Sequence, residues 1–176
     1  MQIRDPITQT AMAIEEDGRA RGFVTIEHEI TYQSEKNGYA YSWSGSYNAG
    51  AADTILWLRN DDTEKHLKID TILISGSSIR TEFTVHCPVN AVPAGTTVTG
   101  VNLNRGAGRV AQATAVRDET NNTQANILVS GTVSDNTIPI ELRGAVVLDY
   151  LDCIAVDMVT ASTIGAVTIF GFYHKD

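Results

Sequence analysis

Apolar and polar residues alternate with a period of two along much of the chain. The clearest run is Ile79 to Cys87, with Ile79, Thr81, Phe83, Val85 and Cys87 on one side and Arg80, Glu82, Thr84 and His86 on the other. That period fits a half-buried strand, because a helix would repeat its apolar positions every three or four residues. The run closes a longer stretch, Asp53 to Pro88, in which three apolar segments of strand length are separated by two short polar breaks. Together they predict an antiparallel meander with one face on a core. Ile79, Phe83 and Val85 are its inward set, and Leu67, Ile69 and Leu73 cover the same interior. Cys87 is expected there as a buried thiol and His86 as a surface imidazole.

The same reading extends to the rest of the chain. Phe23 to Tyr32 alternates as a strand, and Ser34 to Ala52 comes next as a polar, glycine-containing segment with Tyr39, Tyr41, Trp43 and Tyr47. Three of these aromatics, Tyr39, Tyr41 and Trp43, share one parity, which suits a strand face packed on a core. The same four side chains also suit a platform for a sugar or a protein partner. Val89 to Gly100 is a Pro/Gly turn entering a strand, and Val101 to Arg109 ends in Gly106-Ala107-Gly108, a turn calling for positive φ. That turn is no phosphate loop, since it lacks the length, the following Lys-Ser/Thr and an opening helix. Further strands are predicted at Asn126 to Val133, at Ile138 to Leu142 (where Pro139 places it at a sheet edge), at Cys153 to Val159 and at Ala166 to Tyr173. Gly144 to Asp149 fits either a strand or a brief helix. In the 153–159 run, Ile154, Val156 and Met158 point inward and Asp157 outward. Roughly nine to eleven strands with no helical period predict an all-β fold, an antiparallel sandwich of jelly-roll-like kind or a small barrel.

Residues 1–22 differ from the rest of the chain and form a separate arm or hairpin, leaving 23–176 as the sandwich. Glu16-Asp17-Gly18 is a turn signal between two short strands, Ala11 to Ile14 and Arg19 to Val24. The alternatives are an unstructured terminus and an arm that orders only against a neighbouring subunit, with Met12 and Ile14 in contact.

Charge and chemistry narrow the picture further. A formal net charge of −8 over 176 residues argues against general nucleic-acid binding, because little positive charge is available to displace phosphate counterions. Arg19 with Arg21, and Arg105 with Arg109, are the candidate local basic patches against a background of scattered solvated charges. Only Cys87 and Cys153 are present, each in a predicted strand, which suits two buried free thiols, with a disulfide between them as the lesser alternative. MQIRDPITQT lacks the apolar core of a signal peptide and no apolar run is long enough to span a bilayer, so synthesis in the cytosol and no membrane partner are expected. His28, His66, His86 and His174 stand alone in sequence, without a metal-ligand spacing. No G-x-S-x-G elbow is present. The pairs Glu15-Glu16 and Asp61-Asp62 fall in predicted turns, where solvation explains them. Asp118, Glu119 and Asn122 lack the spacing of a calcium loop. No enzyme class, cofactor or metal gains support from these motifs.

Two pieces of the chain carry a resemblance. Ala13-Ile14-Glu15-Glu16-Asp17-Gly18-Arg19-Ala20-Arg21-Gly22 looks like the apolar, acidic, Asp-Gly-Arg, apolar hairpin near the N-termini of small virion proteins of tailed bacteriophages. The central DTILWLRND, LKIDTILISG and TEFTVHC, followed by PAGTTVTGVNLNRGAGRVAQATAVRDETNNTQ, is similar to phage structural proteins with a β-sandwich body. Those proteins decorate the capsid as cement proteins or form part of head or tail fibres. The resemblance implies a non-enzymatic protein located on the virion and oligomeric, with a trimer favoured. Its partners would be the major capsid protein or other virion proteins. Arm residues Ile3, Met12, Ile14, Arg19 and Arg21 would make the contacts. The competing expectation is a carbohydrate-binding sandwich that uses Tyr39, Tyr41, Trp43 and Tyr47. A cupin-like enzyme is a more distant option, since the His-rich metal motif of that fold is missing.

Overall fold

A computed structural model describes residues 3–4, 11–14, 20–23, 28–47, 53–76, 80–88, 94–117, 124–158 and 165–175, the first three segments as backbone only. The N-terminal strands are β1 (Ile3–Arg4), β2 (Ala11–Ile14) and β3 (Ala20–Phe23). A helical turn α1 (Glu29–Tyr32) runs into a π-helical turn, Gln33–Asn37. Next come β4 (Ala40–Tyr47), β5 (Asp53–Asn60), β6 (His66–Gly76) and β7 (Thr81–His86). They lead into three short strands: β8 (Thr96–Val98), β9 (Val101–Asn102) and β10 (Ala113–Arg117). The chain closes with β11 (Ile127–Val133), β12 (Thr137–Leu148), β13 (Cys153–Met158) and β14 (Gly165–His174).

Two antiparallel sheets pack face to face, as the alternating pattern predicts. One is ordered β12-β6-β14-β4-β9 and the other β11-β7-β13-β5-β10-β8. With β8, β9 and β10 set aside, the remaining orders are β4-β14-β6-β12 and β5-β13-β7-β11. The chain changes sheet at every step among these eight strands except from β7 to β11. This is the jelly-roll arrangement of two interlocked Greek keys. The three short strands are an insertion that widens both sheets on the β4 and β5 side.

The core lies between the sheets. From the five-stranded sheet come Tyr41, Trp43, Leu67, Ile69, Ile72, Ile74, Val167, Ile169 and Tyr173. Phe83, Val85, Ile154, Val156 and Met158 face them from the other sheet, so the predicted inward set of β13 is borne out. Each of these larger side chains contributes about 1.5–3 kcal/mol by leaving water. Ile79 of the predicted inward set lies outside the described residues.

Several expectations need correcting. The stretch 53–88 is not a meander: β5 and β7 belong to one sheet with β13 between them, and β6 lies in the other. Parity identifies the face that a strand buries, not the strand that it pairs with. Leu73 does not join the interior. The ladders on both sides of β6 shift register near Thr71, so the buried set changes phase from Leu67 and Ile69 to Ile72 and Ile74. The part of Phe23 to Tyr32 that is described beyond Phe23 is helical from Glu29 on, and the helical stretch ends at Gly38 in the left-handed conformation, φ 65°. The two segments 138–142 and 144–149 fall largely in one edge strand, β12, interrupted by an irregularity at which Arg143 and Gly144 take positive φ. Pro139 sits on that edge as predicted.

His86 is fully buried, whereas a surface imidazole was expected. The outer face of the six-stranded sheet holds its own polar cluster. Thr54 Oγ1 donates to Asp157 Oδ1 at 2.7 Å, and His86 Nε2 lies 2.9 Å from Asp157 Oδ2, in contact but without the alignment of a hydrogen bond. The Ala125 amide donates to His86 Nδ1 at 3.4 Å. Asp157 therefore points outward, as predicted, but is buried. Trp57, Val116, Cys153 and Ala155 form a small apolar cluster separate from the main core.

The hairpin expected before the sandwich is present. β2 pairs with β3 from Ala11↔Phe23 to Ile14↔Ala20, and β1 adds a third strand that the sequence did not announce. Among the described residues, these three strands pair only with one another.

Candidate functional site

At the end of the sandwich where β4 begins and β14 finishes, three loops converge. Each is shaped by a short polar side chain bonded to nearby backbone, as Asn and Asp do in turns. In the first, Asn60 Nδ2 donates to the carbonyls of Lys65 and Leu148, both at 2.9 Å. Asp62 Oδ1 accepts from the amides of Glu64 and Lys65 at 2.9 and 3.1 Å, and Asp62 Oδ2 accepts from Lys65 Nζ at 3.2 Å. Partial burial by itself raises the Asp62 pKa, but those amides and the ammonium hold its carboxyl below the usual range. Asp61 accepts from Arg59 and from Thr114. Solvation therefore does not explain the Asp61-Asp62 pair; both carboxylates are built into the loop.

The second and third loops are the π-helical turn and residues 102–109. Asn104 Nδ2 donates to the Ser34 carbonyl at 2.9 Å, and Asn102 Nδ2 to those of Gly38 and Arg109 at 2.9 and 3.1 Å. The same side chains accept through Oδ1 from the amides of Asn104 and Gly106, at 2.8 and 3.1 Å. A Cβ on Gly38 would stand 2.4 Å from that of Ala107, so the two loops close only over a glycine. Gly108 takes φ 63°, the positive value predicted for this turn.

These bonds set Arg109 over Tyr39. The guanidinium carbon lies 4.4 Å from the ring centroid, and Nη1 donates to the Tyr39 hydroxyl at 2.8 Å. Lys65 Nζ lies 5.2 Å from the same ring. Together with Tyr41, Asp62, Val110, Gln112 and Tyr173 they line a cleft of about 250 Å³. Burial, opposed by the nearby Arg109, pushes the Tyr41 phenol up; burial and the Asp62 charge push Tyr173 up as well, against a smaller opposing pull from the Gln112 backbone. Both phenols therefore stay protonated, and that of Tyr41 donates to the Gly38 carbonyl at 3.5 Å. The Tyr173 hydroxyl is buried and makes no well-aligned hydrogen bond within the described structure. Next to this cleft, Arg105 and Arg109 line an open hollow of about 390 Å³ with Asn102 and Asn104.

The aromatics singled out in the sequence divide between core and rim. Tyr41 and Trp43 are 1% and 0% exposed, in the packed alternative, and Tyr39 is half-buried at the cleft. The side chain of Tyr47 lies outside the described residues, as do those of Ile3, Met12, Ile14, Arg19 and Arg21. Sequence reading did not bring Lys65, Asp62, Gln112 or Tyr173 to this place. The Asn-x-Asn spacing of 102–104 and the Asp-Asp turn of 61–62 were the signals available.

The histidines, isolated in sequence, each face a carboxylate from another element: His28 and Asp70 at 3.3 Å, His66 and Asp149, His86 and Asp157, His174 and Glu29 at 3.8 Å. Cys87 and Cys153 line one cleft as thiols not joined in a disulfide, Cys153 buried with its Sγ donating to the Pro88 carbonyl at 3.0 Å and Cys87 half-buried where a buried thiol was expected. Burial pushes both thiols up, Cys153 to about 11, which keeps them unreactive near neutral pH. Among the described residues, no group of three or more His, Cys, Asp or Glu side chains is placed to hold a metal ion, and no helix is long and apolar enough to cross a membrane. No protein-family profile and no curated protein matches the chain.

Proposed function

We propose that this chain is a non-enzymatic structural protein of a virion, decorating a phage capsid and stabilising it by bridging capsid subunits, with a trimer as its working form. The observation that carries the reading is the N-terminal sheet, whose strands β1, β2 and β3 pair, among the described residues, only with one another. An arm hydrogen-bonded outside the sandwich suits contact with a neighbour. Several weak arm contacts on one oligomer act at high effective concentration, which is how a shell under internal pressure gains strength without turnover. The exposed apolar residues Ile127 and Leu128 on edge strand β11, and Val147 and Tyr150 at the end of edge strand β12, also suit protein contact. The resemblance to phage virion proteins points the same way.

The test is to delete residues 1–21 and mix the product with undecorated capsids. Loss of binding with the sandwich still folded is expected; undiminished binding would sink the arm as the contact. The competing carbohydrate reading keeps Tyr39 at the cleft but not Tyr41 and Trp43, which are core residues.

A further inference from the structure

We propose that the cleft between Tyr39, Arg109, Lys65 and Tyr173 binds one carboxylated sugar unit, a uronic acid. The proposal does not depend on a place in a virion, and its failure would leave that reading untouched. Size is the first argument. At about 250 Å³ the cleft is smaller than the pockets of roughly 300–1,000 Å³ that hold drug-sized ligands, and suits a single ring.

Charge is the second argument. In a chain of net charge −8, this cleft carries two cations and one carboxylate. Lys65 is neutralised by Asp62 at 3.2 Å. Arg109 makes no ion pair within the described structure, although its position is fixed by the Tyr39 ring and hydroxyl. An exposed guanidinium held in place with free N–H groups is a ready fork for a carboxylate.

The third argument is the hydrogen-bonding set. The Tyr173 hydroxyl, on a residue only 2% exposed, has the Gln112 backbone beside it but makes no well-aligned hydrogen bond among the described residues, and a buried polar group bonded that poorly is costly. Tyr41 already donates to the Gly38 carbonyl, which leaves the Tyr173 phenol as a donor, Asp62 as an acceptor and the Gln112 side-chain amide as both. Donors and acceptors in one small cleft match ring hydroxyls, which need both. Arg109 and Lys65 already lie over the Tyr39 ring, so it offers little bare face for stacking. Recognition therefore rests on the carboxylate and the hydroxyls together, and a neutral sugar should bind poorly.

The experiment titrates the intact protein with galacturonate and with glucuronate, following its NMR amide shifts, and compares galactose and acetate. At least one uronate should bind about tenfold more tightly than either comparison compound, the scale of one charge-assisted hydrogen bond. Arg109→Gln should weaken that binding about tenfold, and Val110→Trp, which fills the mouth, should abolish it. Both changes fall on exposed side chains, and an unchanged thermal midpoint verifies that the fold is kept. Galactose binding as tightly as the uronates would show that charge is not read; acetate doing so would show that the ring is not. Either result overturns the proposal, as would no uronate binding, or binding unaffected by both variants.

Discussion

The core around β4 and β14 and the loop end beyond it share the same two strands, yet different interactions organise them. In the core, Tyr41 and Trp43 are placed by parity and held by burial, with ring centroids 5.9 Å apart. Two residues before Tyr41 the strand ends, and Tyr39 answers to Arg109, Lys65 and the asparagine-built loops. Burial is additive over many contacts and tolerates no large void. Side-chain to backbone hydrogen bonds contribute only about 1 kcal/mol each, and a region built on them can open without unfolding the whole. A chain of this design can alter its loop end without altering its scaffold.

The largest expected effect breaks the core side of that contrast. Trp43→Ala should cost about 3–5 kcal/mol in urea unfolding, from lost burial and the cavity left behind. A cost below about 1 kcal/mol would mean that Trp43 is not part of the scaffold.

Next in size is an alkaline transition. Burial, then Cys87 and Asp152, raise the Cys153 thiol from its ordinary 9.0 to about 11. The unfolded chain loses this proton first. The stabilisation is complete below pH 9 and is lost as pH rises through 11, with a size of roughly 2–3 kcal/mol. Urea unfolding across that range should show the fall, and Cys153→Ala should remove this component of it. Tyr173 adds a loss in the same direction at higher pH.

The smallest effect sharpens the loop side. Asn104→Ala removes the bonds to Ser34 and Gly106 and should lower global stability by about 1 kcal/mol or less. Amide exchange across 103–109 should nevertheless accelerate strongly. A large fall in the thermal midpoint would instead tie this loop to the core.

Much of the scaffold was legible in the sequence because a period of two directly encodes which side chains are buried. Phe83, Val85, Ile154, Val156 and Met158 are examples, and Pro139 announced an edge. Pairing was not legible, since β5, β6 and β7 are consecutive in sequence but not in the sheets. The register shift near Thr71 and the left-handed Gly38 were equally hidden, each changing the backbone phase over one or two residues. Of the site, the Gly108 turn and Tyr39 could be read. The meeting of Arg109, Lys65 and Tyr173 depends on chain crossings between residues far apart in sequence. The buried His86 was missed for a related reason: polar alternation marks the face opposite the core, but a partner such as Asp157 can make that face an interior too.

The most direct test of the proposed capsid role is electron microscopy of the phage particle that it implies, at a resolution that traces chains. The expected result is the sandwich in trimers on the outside of the shell, with residues 1–22 reaching onto neighbouring capsid subunits. A particle that lacks the chain, or one that holds it by the sandwich with the arm free, would contradict the account.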